Sequence, residues 1–423
     1  MLSREENERL TLVESEAPMG QLMRRYWLPA CLSDELPRPD CPPVRTRLLG
    51  EDLVAFRDSN GRVGVLGEYC AHRRASLFLG RNEECGLRCV YHGWKYDVEG
   101  RCVDAPTEPA ETNFKDKVRQ LAYPAAEHAG LVWAYMGPPT NKPPLPDLEW
   151  MRAPATHRFV SKTVEHCNYL QAVEGGVDTV HGSFLHRNDL SDSAKFFNID
   201  TQPKLEVERT DYGFRYAGIR NVGEGRSYVR VYQFILPFHQ IRPGQLVMRQ
   251  GVGKAEVPMI RGHAWVPIDD HNTMVYNWEC SVEADKPLTP EIIARDEAIG
   301  GRGPDGEVGE VRRRTRANNW LIDREVQRTK TFTGIAGQNT QDLAVQESMG
   351  PIVDRSQEYL GGTDRAITAL RRILLDAVAD VASGSAAPGV EPSTHRDARA
   401  VDALVPHDAQ WQTALQQDLV AAW

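Results

Sequence analysis

Two short segments each set a cysteine and a histidine close together: Cys70-Ala71-His72 and Cys89-Val90-Tyr91-His92, with sixteen residues, 73–88, between them. Each loop offers one thiolate and one imidazole. A two-iron, two-sulfide cluster with cysteines on one iron and histidines on the other needs that set, and exchanging two thiolates for neutral imidazoles raises its reduction potential. A structural zinc site accepts the same four ligands, but zinc sites usually pair like with like, as C-x2-C and H-x3-H, whereas both loops here are mixed. The second loop runs into GWKYDVEGRCV, a hairpin pattern whose Trp94 is placed to shield a cluster from water. Cys85 and Cys102 bring no histidine at two or three residues' distance. Like Cys31, Cys41, Cys167 and Cys280, they read as small buried apolar side chains. His128, His157, His166, His239, His263, His271, His395 and His407 stand alone and read as packing or surface residues.

A second constellation follows in residues 168–186. At 3.6 residues per turn, Asn168, Gln171, Glu174 or Gly175, Asp178 and His181 fall on one face of a helix. A buried polar stripe is costly unless something satisfies it, and a metal with its surrounding hydrogen bonds would do so. Two histidines and one carboxylate on one side of a ferrous iron leave positions open for dioxygen, with His181 and His186 as the imidazole pair. The carboxylate must come from far downstream, and spacing alone does not choose it.

These residues need a scaffold. From about Pro43 to Met136, short β-type runs such as LVAFRD and GLVWAYMG alternate with turns such as Asn60-Gly61 and Glu99-Gly100, which describes a small antiparallel β domain. GPPTNKPPLP, residues 137–146, cannot hold a helix or central strand and marks a boundary. Beyond it, a helical stretch around Glu165 to Val180 precedes the strand-like YVRVYQFILPF and TMVYNWECSV. Helix then returns at DRAITALRRILLDAVADVA, with Asp364 as its N-cap. The order implies an α+β fold. The expected division is an N-terminal helical segment, 1–42; the cluster domain, 43–137; a proline-rich linker, 138–149; the iron domain, 150–382; and a linker with a loosely attached tail, 383–423.

Composition narrows the partners. The 423 residues carry a formal net charge of -9, which argues against nucleic acid or an anionic membrane surface. The one basic run, Arg312 to Arg316, has Glu307 and Glu310 just before it and reads as a solvated loop. The charged N-terminus lacks a secretion signal, no apolar run is long enough to cross a bilayer, and eight cysteines read as reduced thiols or ligands, so a cytoplasmic enzyme is expected. The glycine-rich stretch 300–306 lacks the strand and lysine of a phosphate cradle and reads as a surface loop.

C-x-H with C-x2-H, followed by E-G-G-x-D-x2-H-x4-H, resembles the Rieske non-haem iron oxygenases, and within them the phthalate dioxygenase-like oxygenase (alpha) subunits. The resemblance spans MGQLMRRYWLPA, LLGEDLVAFRD, NYLQAVEGGVD and NWLIDREVQRTKTFTGI. It implies a 2Fe-2S cluster on Cys70, His72, Cys89 and His92, and a catalytic domain of helix-grip type holding Fe(II) on His181, His186 and a carboxylate. The family pattern places that carboxylate at Asp342; Asp323 and Asp354, the rivals, read more simply as capping or surface acids. It also implies a separate flavin and iron-sulfur reductase, and a homotrimer or stacked trimers. There Asp178 bridges His181 to His92 of the partner subunit.

The reaction so implied is dioxygenation of an aromatic compound, with a monooxygenase or O-demethylase of an aromatic ether acid as the alternative. Phthalate, isophthalate, a chlorobenzoate or a phenoxybenzoate would each need a cation in the pocket, because a buried carboxylate must be paired. Arg220, Arg230, Arg242 and Arg249 lie in the strand region, where each is expected to face outward. Two further readings are a non-catalytic iron-sulfur electron carrier, which leaves His181, His186 and Asp178 unexplained, and a colourless zinc-stabilised binding protein.

Overall fold

The computed structural model describes residues 2–191, 195–247, 254–303, 309 and 311–423, with the backbone alone at 245–247 and 254–255. Arg249, Glu307, Glu310 and residues 304–306 of the glycine-rich stretch lie outside the described residues. The chain forms two units, Val13–Pro143 and a second made of Met1–Leu12 with Pro144–Trp423. The architecture is α+β with antiparallel sheets.

The first unit is built from three small sheets. Val44–Leu48, Glu51–Arg57 and Val63–Gly67 form a meander, to which Ala122–Tyr123 adds an edge. Arg81–Glu83, Gly86–Arg88, Lys95–Tyr96 and Cys102–Asp104 form another. Residues 1–42 are not wholly helical: Trp27–Leu32 is a strand paired with Leu131–Tyr135, and its run of apolar residues packs inward. Val54, Phe56, Leu66, Leu77, Leu87 and Tyr96 build a core directly beneath the two cysteines, Cys70 and Cys89.

In the second unit, the strands Arg158–Glu165, Thr273–Ser281, Lys254–Pro267, His239–Val247, Arg226–Ile235, Gly213–Gly223 and Lys204–Thr210 lie side by side in that order. Every residue of Thr273–Ser281 is buried, so it runs through the core rather than along an edge. The helix Arg365–Ala382 packs with the strands Lys204–Thr210 and Gly213–Gly223. Its buried Leu370, Ile373, Leu374, Ala377, Val378 and Val381 recur at helical spacing. Asp364 stands at its N-cap position but makes no side-chain cap; the carboxylate turns back to accept from Gly361 N at 2.6 Å.

Residues 383–423 are not a loose tail. Val401–Pro406 joins the sheet against Arg226–Val231, and Trp411 and Leu415 close a small core with Ala217, Val229 and Val231. The strand His239–Val247 pairs with Arg226–Ile235 only at residues 233–235, and the C-terminal strand takes the vacant edge. That pairing satisfies backbone groups which linker composition gave no reason to expect. Arg312 likewise departs from the solvated-loop expectation: its buried guanidinium pairs with Glu347 at 2.6 Å and donates to Val164 O.

Candidate functional site

The two mixed loops are built alike. Arg74 N donates to Cys70 O, and Gly93 N to Cys89 O, each through a residue at positive φ, Arg74 at 62° and Gly93 at 78°. Ala71 N donates to Gln120 Oε1, whose amide nitrogen is spent on Gly67 O and Tyr69 O. The thiols of Cys70 and Cys89 are buried, while His72 and His92 sit half-exposed at the rim, their ring centroids 4.5 Å apart. Trp94 stacks on His72 at 4.2 Å and anchors its indole on Thr107 Oγ1. Tyr96 OH lies 3.2 Å from Cys70 Sγ. Burial and the nearby Cys70 push the Cys89 thiol up, and burial together with the neighbouring His72 and Arg73 draws His92 down. His72 Nδ1 is sealed from solvent without a hydrogen-bond partner. Buried sulfurs below, facing imidazoles above and an orphaned ring nitrogen between them fit a cluster with one iron on each ligand type.

The second site begins on the helix Tyr169–Val177, which Asn168 caps through Leu170 N. This helix ends at Val177, sooner than the polar periodicity suggested, and Asp178 is its C-cap. Only Asp178 and His181 of the polar stripe reach the site. Gln171 is spent on Gln346 O, Gly350 O and Val353 N, and Asn168 on Thr11 O and Asp270 O. Glu174 is clamped by Arg355 at 2.8 Å and Arg371 at 2.6 Å. The two glycines after it admit close neighbours: a Cβ on Gly175 would meet the Gln346 side chain at 1.9 Å, and one on Gly176 the Trp265 ring at 2.0 Å.

Beyond the helix the chain turns through His181–Ser183 and places His186 beside His181. The helix Gln338–Ser348 returns from far along the chain and brings Asp342 to them. His181 Nε2 and His186 Nε2 are 3.2 Å apart, and Asp342 Oδ1 lies 3.7 Å from the first and 3.2 Å from the second. Ligand atoms bound about 2.1 Å from one metal at right angles would be separated by roughly 3 Å, so this spacing suits three neighbouring corners of an octahedron. Among the described residues this trio is the His, Cys or carboxylate group whose ligand atoms all lie within 4.8 Å of one another. Asp178 Oδ2 is 3.4 Å from His181 Nδ1, and Gln341 Oε1 2.8 Å from His186 Nδ1. Burial opposes charge on Asp342, but the two imidazoles outweigh it and hold its carboxyl below the ordinary range. Asp323 and Asp354 cap the helical turns that follow them and stay away from the trio.

The trio opens into a cavity of about 880 Å³ whose walls include Phe197, Trp265, Val275, Leu343, His263 and Asn277. Contrary to the outward orientation expected from strand position, Arg230 and Arg242 line it, and Arg220 is fully buried against Phe197 at 4.0 Å. Other arginines on the wall are neutralised: Arg261 pairs with Asp296, and Arg302 with Glu297 at 2.6 Å. Arg230 donates to Pro243 O. Arg242 makes no ion pair with the described residues, and its Nε is buried without a hydrogen-bond partner. Burial, reinforced by Arg261 and Arg230, draws its guanidinium down to about 10, still charged at neutral pH.

Residues 26–121 match the Rieske [2Fe-2S] domain, and residues 134–422 match the LigXa C-terminal domain like family. The chain is 41% identical over 433 residues to the phthalate 4,5-dioxygenase oxygenase subunit of Pseudomonas putida, covering 97% of this chain and 94% of that one. Identity to the 3-chlorobenzoate-3,4-dioxygenase oxygenase subunit of Comamonas testosteroni is 39%, over 97% of each. The chain belongs to the Rieske oxygenases. It is an oxygenase subunit of the group that contains phthalate dioxygenase. The Rieske oxygenase fold extends to a solved dicamba monooxygenase bound to dicamba, with a TM-score of 0.61 at 19% identity over 85% of this chain and 98% of that one.

Sequence reasoning left several residues of this Rieske oxygenase without a role. Gln341 adjoins Asp342, and its neighbour's assignment was the only available pointer. His263, read as a packing or surface residue, lines the cavity, and its Nδ1 donates to Asn277 Oδ1 at 2.9 Å. Arg242 alternates with other residues along an ordinary strand, and no local signal marks which face meets a cavity.

Proposed function

We propose that this Rieske oxygenase subunit dihydroxylates a carboxylated aromatic compound of the phthalate, isophthalate, chlorobenzoate or phenoxybenzoate type. Arg242 carries that reading: a charged guanidinium that makes no ion pair among the described residues, on the wall of the cavity that holds the histidine and aspartate trio, suits a substrate carboxylate. Cys70, His72, Cys89 and His92 hold the cluster, and His181, His186 and Asp342 hold a mononuclear Fe(II). The bound iron supplies dioxygen-activating chemistry, which side chains cannot provide.

The chain's own residues do the rest. Asp178 orients His181 through its Nδ1, fixing the tautomer that leaves Nε2 free. Arg242 holds the substrate carboxylate, while Phe197, Trp265 and Val275 exclude water from the ring. Asp178 keeps a quarter of its side chain exposed, and Val90 and Tyr91 stand exposed beside His92. These features support a trimer or stacked trimers in which Asp178 accepts from His92 of the partner subunit, with electrons from a separate flavin and iron-sulfur reductase. Among the described residues no helix is long and apolar enough to cross a membrane. None of the eight cysteines is joined in a disulfide, which favours a reducing, cytoplasmic setting.

The test is turnover with labelled dioxygen and a generic reductase, across aromatic acids and their neutral amides. Acids should gain two labelled atoms and the amides should react poorly. Equal turnover of the amides would overturn the carboxylate reading, and one labelled atom would make the enzyme a monooxygenase or demethylase.

A further inference from the structure

Gln341 is fully buried at the start of the helix Gln338–Ser348. Its amide nitrogen donates to Asn188 Oδ1 at 2.8 Å and to the Ile335 carbonyl at 2.9 Å. A backbone carbonyl only accepts, so the NH2 end must face Ile335, and the amide cannot be turned round without setting two acceptors against each other. Its Oε1 is thereby aimed at His186 Nδ1, 2.8 Å away. That oxygen also only accepts, so Nδ1 must carry the ring proton. His186 Nε2 is left to present its lone pair beside Asp342 and His181, each 3.2 Å away.

We infer that Gln341 is the positioning residue that selects the metal-binding tautomer of His186 and grades the two imidazoles against each other. The inference rests on reading His181, His186 and Asp342 as the mononuclear metal ligands. His181 is backed by the carboxylate of Asp178, which strengthens its ring as a donor; His186 is backed by a neutral amide, which orients its ring with less electrostatic push. The amide in turn is tied to Ile335 and to Asn188, two residues beyond His186, so a side chain from a distant helix aims the ring while locked to the loop that carries it.

The test uses cluster-loaded protein whose mononuclear metal has been removed by chelator dialysis. Co(II) is titrated back against a competing chelator, with the cluster kept oxidised so that the Co(II) resonance is read alone. Gln341→Met should weaken Co(II) binding by about 10- to 100-fold and alter its resonance, in the range expected for loss of a group that hydrogen-bonds a ligand. Asn188→Ala keeps the Gln341 to His186 bond and should cost less, with the wild-type resonance retained. Wild-type affinity and resonance in Gln341→Met, or equal losses in both variants, would overturn the inference. Should Gln341→Met fail to fold, Gln341→Asn, which withdraws the same amide from Nδ1, is read identically: weakened binding supports the inference and unchanged binding overturns it. Failure of the ligand reading itself looks different, because Asp342→Ala would then bind Co(II) as the wild type does.

Discussion

The cysteine and histidine loops and the histidine and aspartate trio are assembled by opposite means. Cys70, His72, Cys89 and His92 come from two neighbouring loops of one small β unit, whose turns and apolar floor set the geometry locally. His181, His186 and Asp342 come from segments more than 150 residues apart, and side-chain hydrogen bonds from Asp178 and Gln341 aim the rings. Local loops can be read and moved as a module. A site gathered from distant segments depends on the packing of everything between them.

The sharpest way to break this comparison is to empty each site separately. Asp342→Ala should lose mononuclear iron by more than the ~100-fold that removal of a supporting hydrogen bond costs, while the visible and low-temperature resonance spectra of the cluster stay intact. Cys89→Ala should do the reverse. Iron and sulfide analysis of both variants checks this, and joint loss in either would show that the sites fold as one. Next in size is Asp178→Asn, which should keep both metals and slow hydroxylation by roughly 10- to 100-fold, since it retains the shape but weakens the support of His181. Wild-type turnover would remove the bridging role.

Smaller effects sharpen the picture of the cavity. Arg242→Gln removes a charged donor worth about 1.5 to 3 kcal/mol, so KM for an aromatic acid should rise roughly 10- to 100-fold with little change for a neutral analogue. Steady-state kinetics on matched acid and amide pairs decides it. The smallest effect concerns pH. Burial, with the charge of His395 adding to it, draws His239 down to about 3 in the second unit. An unfolded imidazole takes its proton near 6.5, so this contribution to stability is present above about pH 6.5. It drains by at most about 1.4 kcal/mol per pH unit as the pH falls toward 3. His239→Phe should flatten that acid limb in thermal melts, and an unchanged limb would clear His239 of the effect.

Much was open to inspection in the residue order. The mixed C-x-H and C-x2-H loops were legible because the cysteine and histidine of each pair sit within four residues, where chain geometry leaves little freedom. The strands of both units follow from β-type runs between turns, and the Arg365–Ala382 helix from its 3.6-residue period. Less was open in the helix that leads to His181. Its polar face resembled a continuous metal-binding stripe, yet Asn168, Gln171 and Glu174 are satisfied by Thr11, Gln346 and the Arg355 and Arg371 pair. A hydrogen-bonding side chain does not announce its partner. The C-terminal strand was missed for the same reason, since its pairing edge belongs to a strand about 175 residues earlier in the chain.

Sequence by itself determined the α+β class and the spacing of the cysteine and histidine loops, because these depend on neighbours along the chain. Tertiary structure alone decided that Arg242 faces the cavity, that Gln341 aims His186, and that residues 401–406 complete a sheet. Those outcomes depend on which surfaces meet after folding, and burial charges a full desolvation cost for every polar group that meets none.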